Sequence, residues 1–517
     1  MIRPLSRCLA LTIVLLGLTG PSVALAEWRK ATTDRFVIYS EGGERDLRNE
    51  VERLHRFDRL VRAPFGLSDA PPARPLTIVL TSGRQGMEAL FPDLPKNVGG
   101  YYSASQNDIY AALPRNGDDG ILLHEYVHHV MHQSFPTATP GWFTEGIAEY
   151  YKTARIDDRE TRVGYRDDWR VATLNRLPWV PMDRLLTRRG LSANRDQMSA
   201  YYAQSWLLTH YLVSDPTRLK QLETYLAAVA GGMPPLDAVQ PAFGMSPDEL
   251  MEAIRRYRNG SMPFAVYPTP PSGQVAMTVE TLPASANELF PLSIRLNYQN
   301  RDDGPQVLAR VRAAAARWPT DRLARMTLAK AEIQIGDPVA AEAALTALLA
   351  DAPTDVEALR WMARLRMTAA SKAGEANDTE TRDRLNRQAR AFLGRAMNAD
   401  PNDYRIYLAL GRSRRTAAGY PDENDLATWA LAAQLAPQVR DVRWEAAEAF
   451  SRAGQTDAAV VLLTPLANDP HGGRTATRAR QRLQALRPDS EATDEPEAPP
   501  ETGPETGGGV APEPDQG

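Results

Sequence analysis

The sequence predicts a mixed α/β domain followed by an all-α repeat region, on three observations. Residues 27–264 alternate between short apolar runs typical of strands and longer segments with helical spacing. From Pro283 onward, prolines recur at intervals near 34 residues, a length typical of stacked helix pairs. Between the two patterns, residues 265–274 (AVYPTPPSGQ) are rich in proline and are predicted to be a linker.

The first 26 residues have the pattern of a cleavable signal peptide. Arg3 and Arg7 precede an apolar run at residues 9–18, and Ala-Leu-Ala at residues 24–26 is a typical cleavage site. The run is too short for a membrane span, so the mature chain is predicted to have none. Cys8, the only cysteine, would leave with the signal, which excludes disulfides, thiol catalysis and cysteine–zinc sites. We expect a periplasmic or secreted protein.

The charge distribution argues against nucleic-acid binding. The whole chain carries a net charge of −4, which becomes −6 when Arg3 and Arg7 are removed. Residues 488–517 contain nine acids and no base, and their low apolar content predicts a disordered acidic tail. The folded part then carries a net charge of about +3, with no basic-aromatic pattern.

Four elements are predicted ahead of the main motif in the α/β domain. Strands are expected at residues 35–40 and 76–81, with a helix over residues 44–61 between them. Residues 98–103 and 108–112 have the pattern of a hairpin. A helix is expected to follow, with Asp118 or Asp119 as its N-cap.

The motif that carries chemistry is His124-Glu125-x-x-His128. Two histidines four residues apart project from one helix face and can bind one metal ion, with Glu125 placed to take a proton from a bound water. Sixteen residues separate His128 from Glu145, enough for this helix to end near Phe135 and for a second to begin after residue 141. Glu145 on the second helix would complete a zinc-binding set with a fourth position open for water.

This arrangement resembles the gluzincin zinc metallopeptidases. HExxH is followed by W-x-x-E-G-x-A-x-Y at residues 142–150, and the closest likeness is to bacterial peptidase MA-like relatives. The resemblance covers residues 30 to 260 and implies a zincin-like α+β fold. It implies that His124, His128 and Glu145 bind Zn²⁺ and that Glu125 is the general base. Glu149, one turn after Glu145, matches the acid that orients a ligand histidine in this family.

Gluzincins also place a tyrosine or histidine on a later helix, where it stabilises the oxyanion. Residues 198–211 have the pattern of that helix and offer Tyr201, Tyr202 and His210. The family pattern favours Tyr202, although core packing is an alternative role for each of the three.

The neighbouring histidines are not expected to bind the metal. His129 points to another helix face, and His132 lies two turns from His124, about 12 Å along the axis. Met131 occupies the position where metzincins have glycine, which argues against that class. The G-x-M-E-N motif of the aminopeptidase branch does not occur before His124, which favours an endopeptidase.

The C-terminal half, residues 275–487, resembles tetratricopeptide repeats. Successive marker prolines are 36, 34, 48, 36 and 33 residues apart, at Pro283, Pro319, Pro353, Pro401, Pro437 and Pro470. Gly336, Gly419 and Gly454 lie at mid-repeat, and the long unit is expected to hold an insertion at residues 371–381. An alanine-rich bundle without strict repeats is the alternative. Stacked repeats form a concave groove, which predicts a protein partner.

Together these features predict an exported zinc metallopeptidase whose repeats bind a protein partner or substrate. The alternative is a non-catalytic periplasmic adaptor that uses its repeats on a relic peptidase fold. A metal-assisted hydrolase of non-peptide bonds is a third hypothesis, because fold analogy does not determine the substrate. The change of pattern after Phe264 also predicts two separately folding units.

Overall fold

A computed structural model describes residues 27–95, 99–115, 119–135, 139–157, 159–188, 191, 194–269, 275–297, 303–469 and 473–487. The predicted signal peptide at residues 1–26 and the acidic tail at 488–517 lie outside these ranges, as do Asp118 and the second half of the Pro-rich segment, residues 270–274.

In the described part of the chain, six strands form the central sheet: β1 Arg29–Thr32, β2 Phe36–Ser40, β3 Leu76–Thr81, β4 Tyr101–Ala104, β5 Ile109–Pro114 and β9 Thr278–Thr281. Their order across the sheet is β4-β5-β3-β2-β1-β9. Strands β2, β3 and β5 run parallel, because the helix between β2 and β3 provides a crossover. Strand β4 turns back antiparallel on β5. The sequence-predicted strands and hairpin correspond to β2, β3 and β4–β5.

A smaller antiparallel sheet and ten α-helices complete the described part of the α/β domain. The small sheet contains β6 Arg155–Ile156, β7 Glu160–Val163 and β8 Ala265–Pro268. The helices are α1 Glu44–Arg62, α2 Arg84–Leu90, α3 Asp119–Ser134, α4 Gly141–Lys152, α5 Asp168–Arg176, α6 Met182–Thr187, α7 Arg195–Val213, α8 Pro216–Ala230, α9 Val239–Phe243 and α10 Pro247–Arg258. Helix α3 carries the HExxH motif, and α7 corresponds to the helix predicted at residues 198–211.

The predicted linker differs from the structure. Strand β8 lies within residues 265–274 and pairs with β7, and β9 pairs with β1 at the edge of the central sheet. The segment after Phe264 therefore still belongs to the α/β domain. Proline content did not indicate this, because Pro268 can end an edge strand without losing a ladder hydrogen bond.

Beyond β9 the described chain is helical and forms a helical repeat region. Its helices are α11 Ala286–Arg295, α12 Gly304–Arg317, α13 Arg322–Ile335, α14 Pro338–Asp351, α15 Val356–Glu375, α16 Thr379–Ala399, α17 Tyr404–Arg414, α18 Glu423–Leu435, α19 Arg440–Arg452, α20 Thr456–Asn468 and α21 Gly473–Leu486. Residues 371–381, predicted as an insertion, are the ends of the two longest helices and the turn that joins them.

The marker prolines indicate where repeats begin. Helices α13, α15, α17 and α19 each start three residues after a marker proline. In the first three of these repeats an aspartate two residues after the proline accepts a hydrogen bond from the first turn of the helix: Asp321, Asp355 and Asp403. An N-cap of this kind satisfies a backbone N–H that otherwise has no partner inside the helix.

Side chains of the repeat region contact the turn of the β4–β5 hairpin, residues 105–108. We call these residues the hairpin turn. Tyr404 donates a hydrogen bond to the carbonyl of Ser105 at 2.6 Å, and Arg405 donates to the carbonyl of Asn107 at 3.2 Å. Arg405 also lies 3.5 Å from Asp108. Further contacts come from two arginines: Arg364 to the side chain of Asn107 and Arg412 to that of Gln106.

One apolar core runs through both halves of the chain. It contains buried side chains of α3 and α7 together with Tyr404, Trp429 and Val442 of helices α17, α18 and α19. The two halves therefore share buried surface, which favours one folding unit over the two that the change of pattern predicted. None of the helices in the described part of the chain has the length and apolar composition that crossing a bilayer requires.

Candidate metal centre

Helix α3 presents His124 and His128 on one face. The Nε2 atoms of the two rings are 3.0 Å apart, and both side chains are buried. A separation of four residues is close to one helical turn, so the two imidazoles lie one above the other. The geometry agrees with the spacing argument from the sequence.

Helix α4 brings Glu145 to the same point. Its Oε2 atom lies 3.6 Å from His124 Nε2 and 3.5 Å from His128 Nε2. Gly146 allows α4 to lie against α7, because a Cβ atom there would collide with Thr209 Oγ1 and the carbonyl of Ser205. The glycine of the W-x-x-E-G motif thus permits the helix contact that positions Glu145.

The three ligand atoms fit a zinc ion. They form a triangle with sides of 3.0, 3.5 and 3.6 Å, and the circle through its corners has a radius of about 2.0 Å. Zinc binds imidazole nitrogen and carboxylate oxygen at about 2.0–2.2 Å. Among the described residues, His124, His128 and Glu145 form a buried group whose ligand atoms lie within 4.8 Å of one another. We call these three residues the metal cluster.

Glu149 lies behind His124, as the resemblance implied. Its Oε1 atom is 3.2 Å from His124 Nδ1, on the ring side opposite the metal cluster. Burial lowers the pKa of His124, but the nearby carboxylates of Glu145 and Glu149 outweigh burial and raise the pKa to about 9. A carboxylate in this position determines which ring nitrogen is protonated and leaves the other for the metal.

Arg170, which the sequence reasoning missed, holds Glu149 in place. The Arg170 guanidinium on α5 contacts both carboxylate oxygens, at 2.7 and 2.8 Å, and both side chains are buried. Burial favours a higher pKa for Glu149, but Arg170 and then Lys152 outweigh it and hold the pKa well below the usual range. No local pattern in the sequence distinguishes Arg170 from other arginines.

Glu125 is buried beside the metal cluster. Burial raises its pKa, while the imidazoles of His124 and His128 oppose the rise. Its Oε1 atom has no hydrogen-bond partner within the described ranges. A buried carboxylate with a raised pKa is suited to accepting a proton and returning it near neutral pH.

The three candidates for the oxyanion donor differ in their surroundings. Burial is the largest cause of the raised pKa of Tyr202, and the charges of Glu145, Glu149 and Glu125 also contribute to it. Tyr201 is also buried, and Glu145 is the only carboxylate of this group that raises its pKa. His210 lies 2.9 Å from the hydroxyl of Tyr257 and 2.8 Å from the carbonyl of Gly164, so both its nitrogens are engaged in packing contacts.

The other two histidines of α3 lie outside the metal cluster. His129 is buried, and its Nδ1 atom lies 3.0 Å from the hydroxyl of Tyr102 on β4. Burial lowers the pKa of His129 to about 3, which keeps the ring neutral. His132 follows His128 by one turn, with ring centroids 6.4 Å apart.

Structural comparisons give only low similarity scores. A thermophilic TPR protein of Thermus thermophilus is 20% identical, with 39% of this chain and 98% of that chain covered and a TM-score of 0.33. Two structures of MamA are 13% and 14% identical, cover 37% and 41% of this chain and 96% and 98% of theirs, and have TM-scores of 0.25 and 0.26. The helical repeat region is recognised from its own helix pairs.

A comparison with curated proteins finds no match. One family model matches residues 121–237, and its description is "Protein of unknown function (DUF1570)". The matched segment contains the metal cluster, Glu125, Glu149 and Tyr202.

Proposed function

We propose that this chain is a zinc-dependent metallopeptidase of the gluzincin type, acting within polypeptides rather than at their ends. The observation that carries the proposal is the convergence of His124 Nε2, His128 Nε2 and Glu145 Oε2 on one point, with Glu125 beside it. The pattern of residues 1–26 supports export to the periplasm or beyond the cell. The intact ligands and base support a peptidase over the non-catalytic adaptor.

In the proposed mechanism His124, His128 and Glu145 hold the metal, and Glu149 with Arg170 keeps His124 in the correct tautomer. Zinc, when bound, would lower the pKa of a water molecule and polarise the substrate carbonyl. Glu125 takes the proton from that water and returns it to the leaving amine. Tyr202 donates a hydrogen bond to the oxygen on which negative charge develops.

Metal analysis of the purified chain tests the first step of this proposal. We expect about one zinc per chain, lost in His128→Ala and kept in His132→Ala, which changes the same helix face one turn further on. Full zinc content in a variant that lacks both His124 and His128 would rule out this metal centre.

Hydrolysis of an unfolded protein substrate tests the second step. Glu125→Gln keeps a hydrogen-bonding side chain but removes the base, so we expect zinc to stay bound while the rate falls about 10²- to 10⁴-fold. Tyr202→Phe should lower kcat by about 10- to 100-fold with little change in KM, because its hydrogen bond matters in the transition state. Equal rates for Glu125→Gln and the parent chain would exclude Glu125 from the reaction.

A further inference from the structure

A cavity of about 600 Å³ lies where α3 begins and α4 ends. Its wall includes Gly120 and Leu123 of α3, Lys152 of α4 and Arg155 of β6. Gly120 is four residues before His124, so it lies one turn away on the same helix face. None of the three residues of the metal cluster is among the described residues of the wall. The cavity is therefore a neighbour of the metal cluster and not a part of it, and its volume is in the range of small-molecule sites.

The wall of the cavity has more cations than acids among its described residues. The cations are Arg53, Lys152, Arg155 and Arg166, and the acids are Asp167 and Asp168. Asp167 is the N-cap of α5 and accepts the backbone N–H of Arg170. Asp168 lies 3.0 Å from Arg166, and Arg53 lies 2.7 Å from Glu50. Lys152 and Arg155 are the two cations whose charge is not balanced in this way.

Lys152 shares its counter-ion with a second cation. Its Nζ atom lies 3.5 Å from Glu149 Oε2, whereas Arg170 contacts both oxygens of that carboxylate at 2.7 and 2.8 Å. One carboxylate balances one of these two positive charges, and the guanidinium fork of Arg170 has the closer contacts. An ammonium group has three N–H donors. Lys152 can therefore bind a further anion while it stays beside Glu149.

Arg155 has no acid as a partner in the described part of the chain, yet its position is well defined. Its guanidinium lies 4.2 Å from the centre of the Tyr165 ring, on which Phe264 also stacks with ring centroids 4.7 Å apart. In the β6–β7 pair Arg155 is opposite a second arginine, Arg162, which is itself paired with Glu160. Like charges directly opposite each other destabilise a strand pair. An anion beside Arg155 would offset that repulsion.

We propose that this cavity binds a small molecule with a doubly charged oxyanion, either a phosphate group or a pair of carboxylates, through Arg155 and Lys152. The planar guanidinium fork matches two oxygens of either group, and the ammonium supplies the second positive charge. The ring of Tyr165 and the side chain of Leu123 also line the cavity and offer apolar surface to the rest of the ligand. This site is separate from the metal cluster and does not depend on the proposed peptidase activity.

Calorimetric titration of the full chain tests the site with two anions, inorganic phosphate and succinate, and with uncharged succinamide as the blank. All solutions have the same ionic strength, because exposed charges attract any anion weakly. The parent chain is compared with Arg155→Gln, Arg155→Lys, Lys152→Gln and Arg159→Gln. Arg159 is the matched control, because it is an exposed arginine between β6 and β7 that is not part of the cavity wall.

We expect saturable binding of phosphate, succinate or both to the parent chain, and no binding of succinamide. Arg155→Gln should weaken this binding about 10- to 100-fold, because a charged hydrogen-bonding partner is lost. Arg155→Lys and Lys152→Gln should have smaller effects, and Arg159→Gln should change the affinity by less than about 2-fold. Whichever anion responds to Arg155→Gln identifies the chemical group. Equal weakening by Arg155→Gln and Arg159→Gln, or no saturable binding to the parent chain, would overturn the site.

Phosphate can also bind at an open zinc position, so each titration is repeated in His128→Ala, which is expected to hold no zinc. Binding that depends on Arg155 should persist there, and its loss would assign the anion to the metal instead of the cavity. A parent chain that holds no zinc and cuts no substrate, yet keeps this binding, would refute the peptidase and support the cavity site. Thermal melting of every variant separates loss of binding from loss of fold.

Discussion

The metal cluster and the hairpin turn are built in different ways. The metal cluster joins residues from two consecutive helices, α3 and α4, with Glu145 only 21 positions after His124. The hairpin turn is held by side chains that lie 257 to 306 positions further along the chain. The chemical groups are thus encoded locally, whereas the hairpin beside α3 is positioned by the repeats.

The largest effect on these two regions is expected when the repeats are removed. A chain of residues 27–264 lacks β9, the partner of β1, and the helices that share the apolar core. We expect it to show no cooperative thermal transition and no stoichiometric zinc, because the metal helices would lose buried surface. Circular dichroism and metal analysis provide the measurement.

Residues 27–487 serve as the control, since only the acidic tail is removed. A cooperative transition with one zinc per chain in the short form would show that the local motif is sufficient on its own. The repeats would then be dispensable for the fold of the metal centre, and the contrast between the two regions would fail.

The next largest effect is expected at Arg170, which lies behind the metal cluster and is not part of the motif. Arg170→Gln leaves Glu149 buried without its bidentate partner, so we expect a loss of about 3–5 kcal/mol in the free energy of unfolding. Zinc affinity should fall about 10- to 100-fold. Urea unfolding and competition with a chelator measure the two effects.

Lys152→Gln is the matched control, because Lys152 lies 3.5 Å from the same carboxylate but is partly exposed. Its loss should change stability by about 1 kcal/mol or less. Equal effects of Arg170→Gln and Lys152→Gln would mean that Glu149 needs only nearby positive charge and not the fork of Arg170.

Acid is expected to destabilise the repeat region by protonating Asp403. This buried carboxylate caps α17 and contacts Arg360 at 3.1 Å and Arg405 at 2.7 Å. Burial alone raises its pKa, but the two arginines outweigh burial and lower it. An unfolded Asp titrates near 3.9, so the ionised group stabilises the fold above about pH 4 and loses that contribution as the pH falls further.

Asp403→Asn keeps the helix cap and removes the charge. At pH 7 we expect it to lower the free energy of unfolding by about 1.5–3 kcal/mol. Urea unfolding at pH 7, 5 and 3 should show this difference shrinking only in the most acidic sample. Parallel curves for the variant and the parent at all three values would exclude Asp403 as a source of acid sensitivity.

The smallest effect is expected from one hydrogen bond to the hairpin turn. Tyr404→Phe removes the bond to the carbonyl of Ser105, at a cost of about 1 kcal/mol. Tyr407→Phe is the control, because its hydroxyl bonds the carbonyl of Pro401 inside the repeats. Hydrogen exchange at residues 101–114 should accelerate in Tyr404→Phe only. The same exchange in both variants would mean that the bond does not hold the hairpin.

The same difference between local and distant contacts separates what could be predicted from the sequence from what could not. The apolar run at Leu76–Thr81 gave the limits of β3, because an interior strand is buried on both faces and needs no partner pattern to be recognised. The HExxH spacing predicted that His124 and His128 lie together on one helix face, as they do on α3, and Glu145 lies on α4, where the second helix was expected. Both inferences depend only on residues close together in the chain.

The features that the sequence did not predict depend on contacts between residues far apart in the chain. Strand β9 is Thr-Val-Glu-Thr, a mostly exposed edge strand whose short polar sequence carries no alternating apolar signal. No local sequence pattern distinguishes Arg170 or Tyr404 from other arginines and tyrosines. Only their tertiary contacts show their roles. The marker prolines predicted where repeats begin but not that the repeats would enclose the hairpin turn.

The contacts between the repeats and the hairpin turn also affect the order of folding. Bonds between residues about 300 positions apart give this region a high contact order, and closing so long a loop is slow compared with forming local helices. Helices α3 and α4 can form early, whereas the hairpin turn does not have all its partners in the repeats until residue 412 has been made. The contacts that fix the hairpin turn are therefore completed by the far end of the chain and not by the motif near its start.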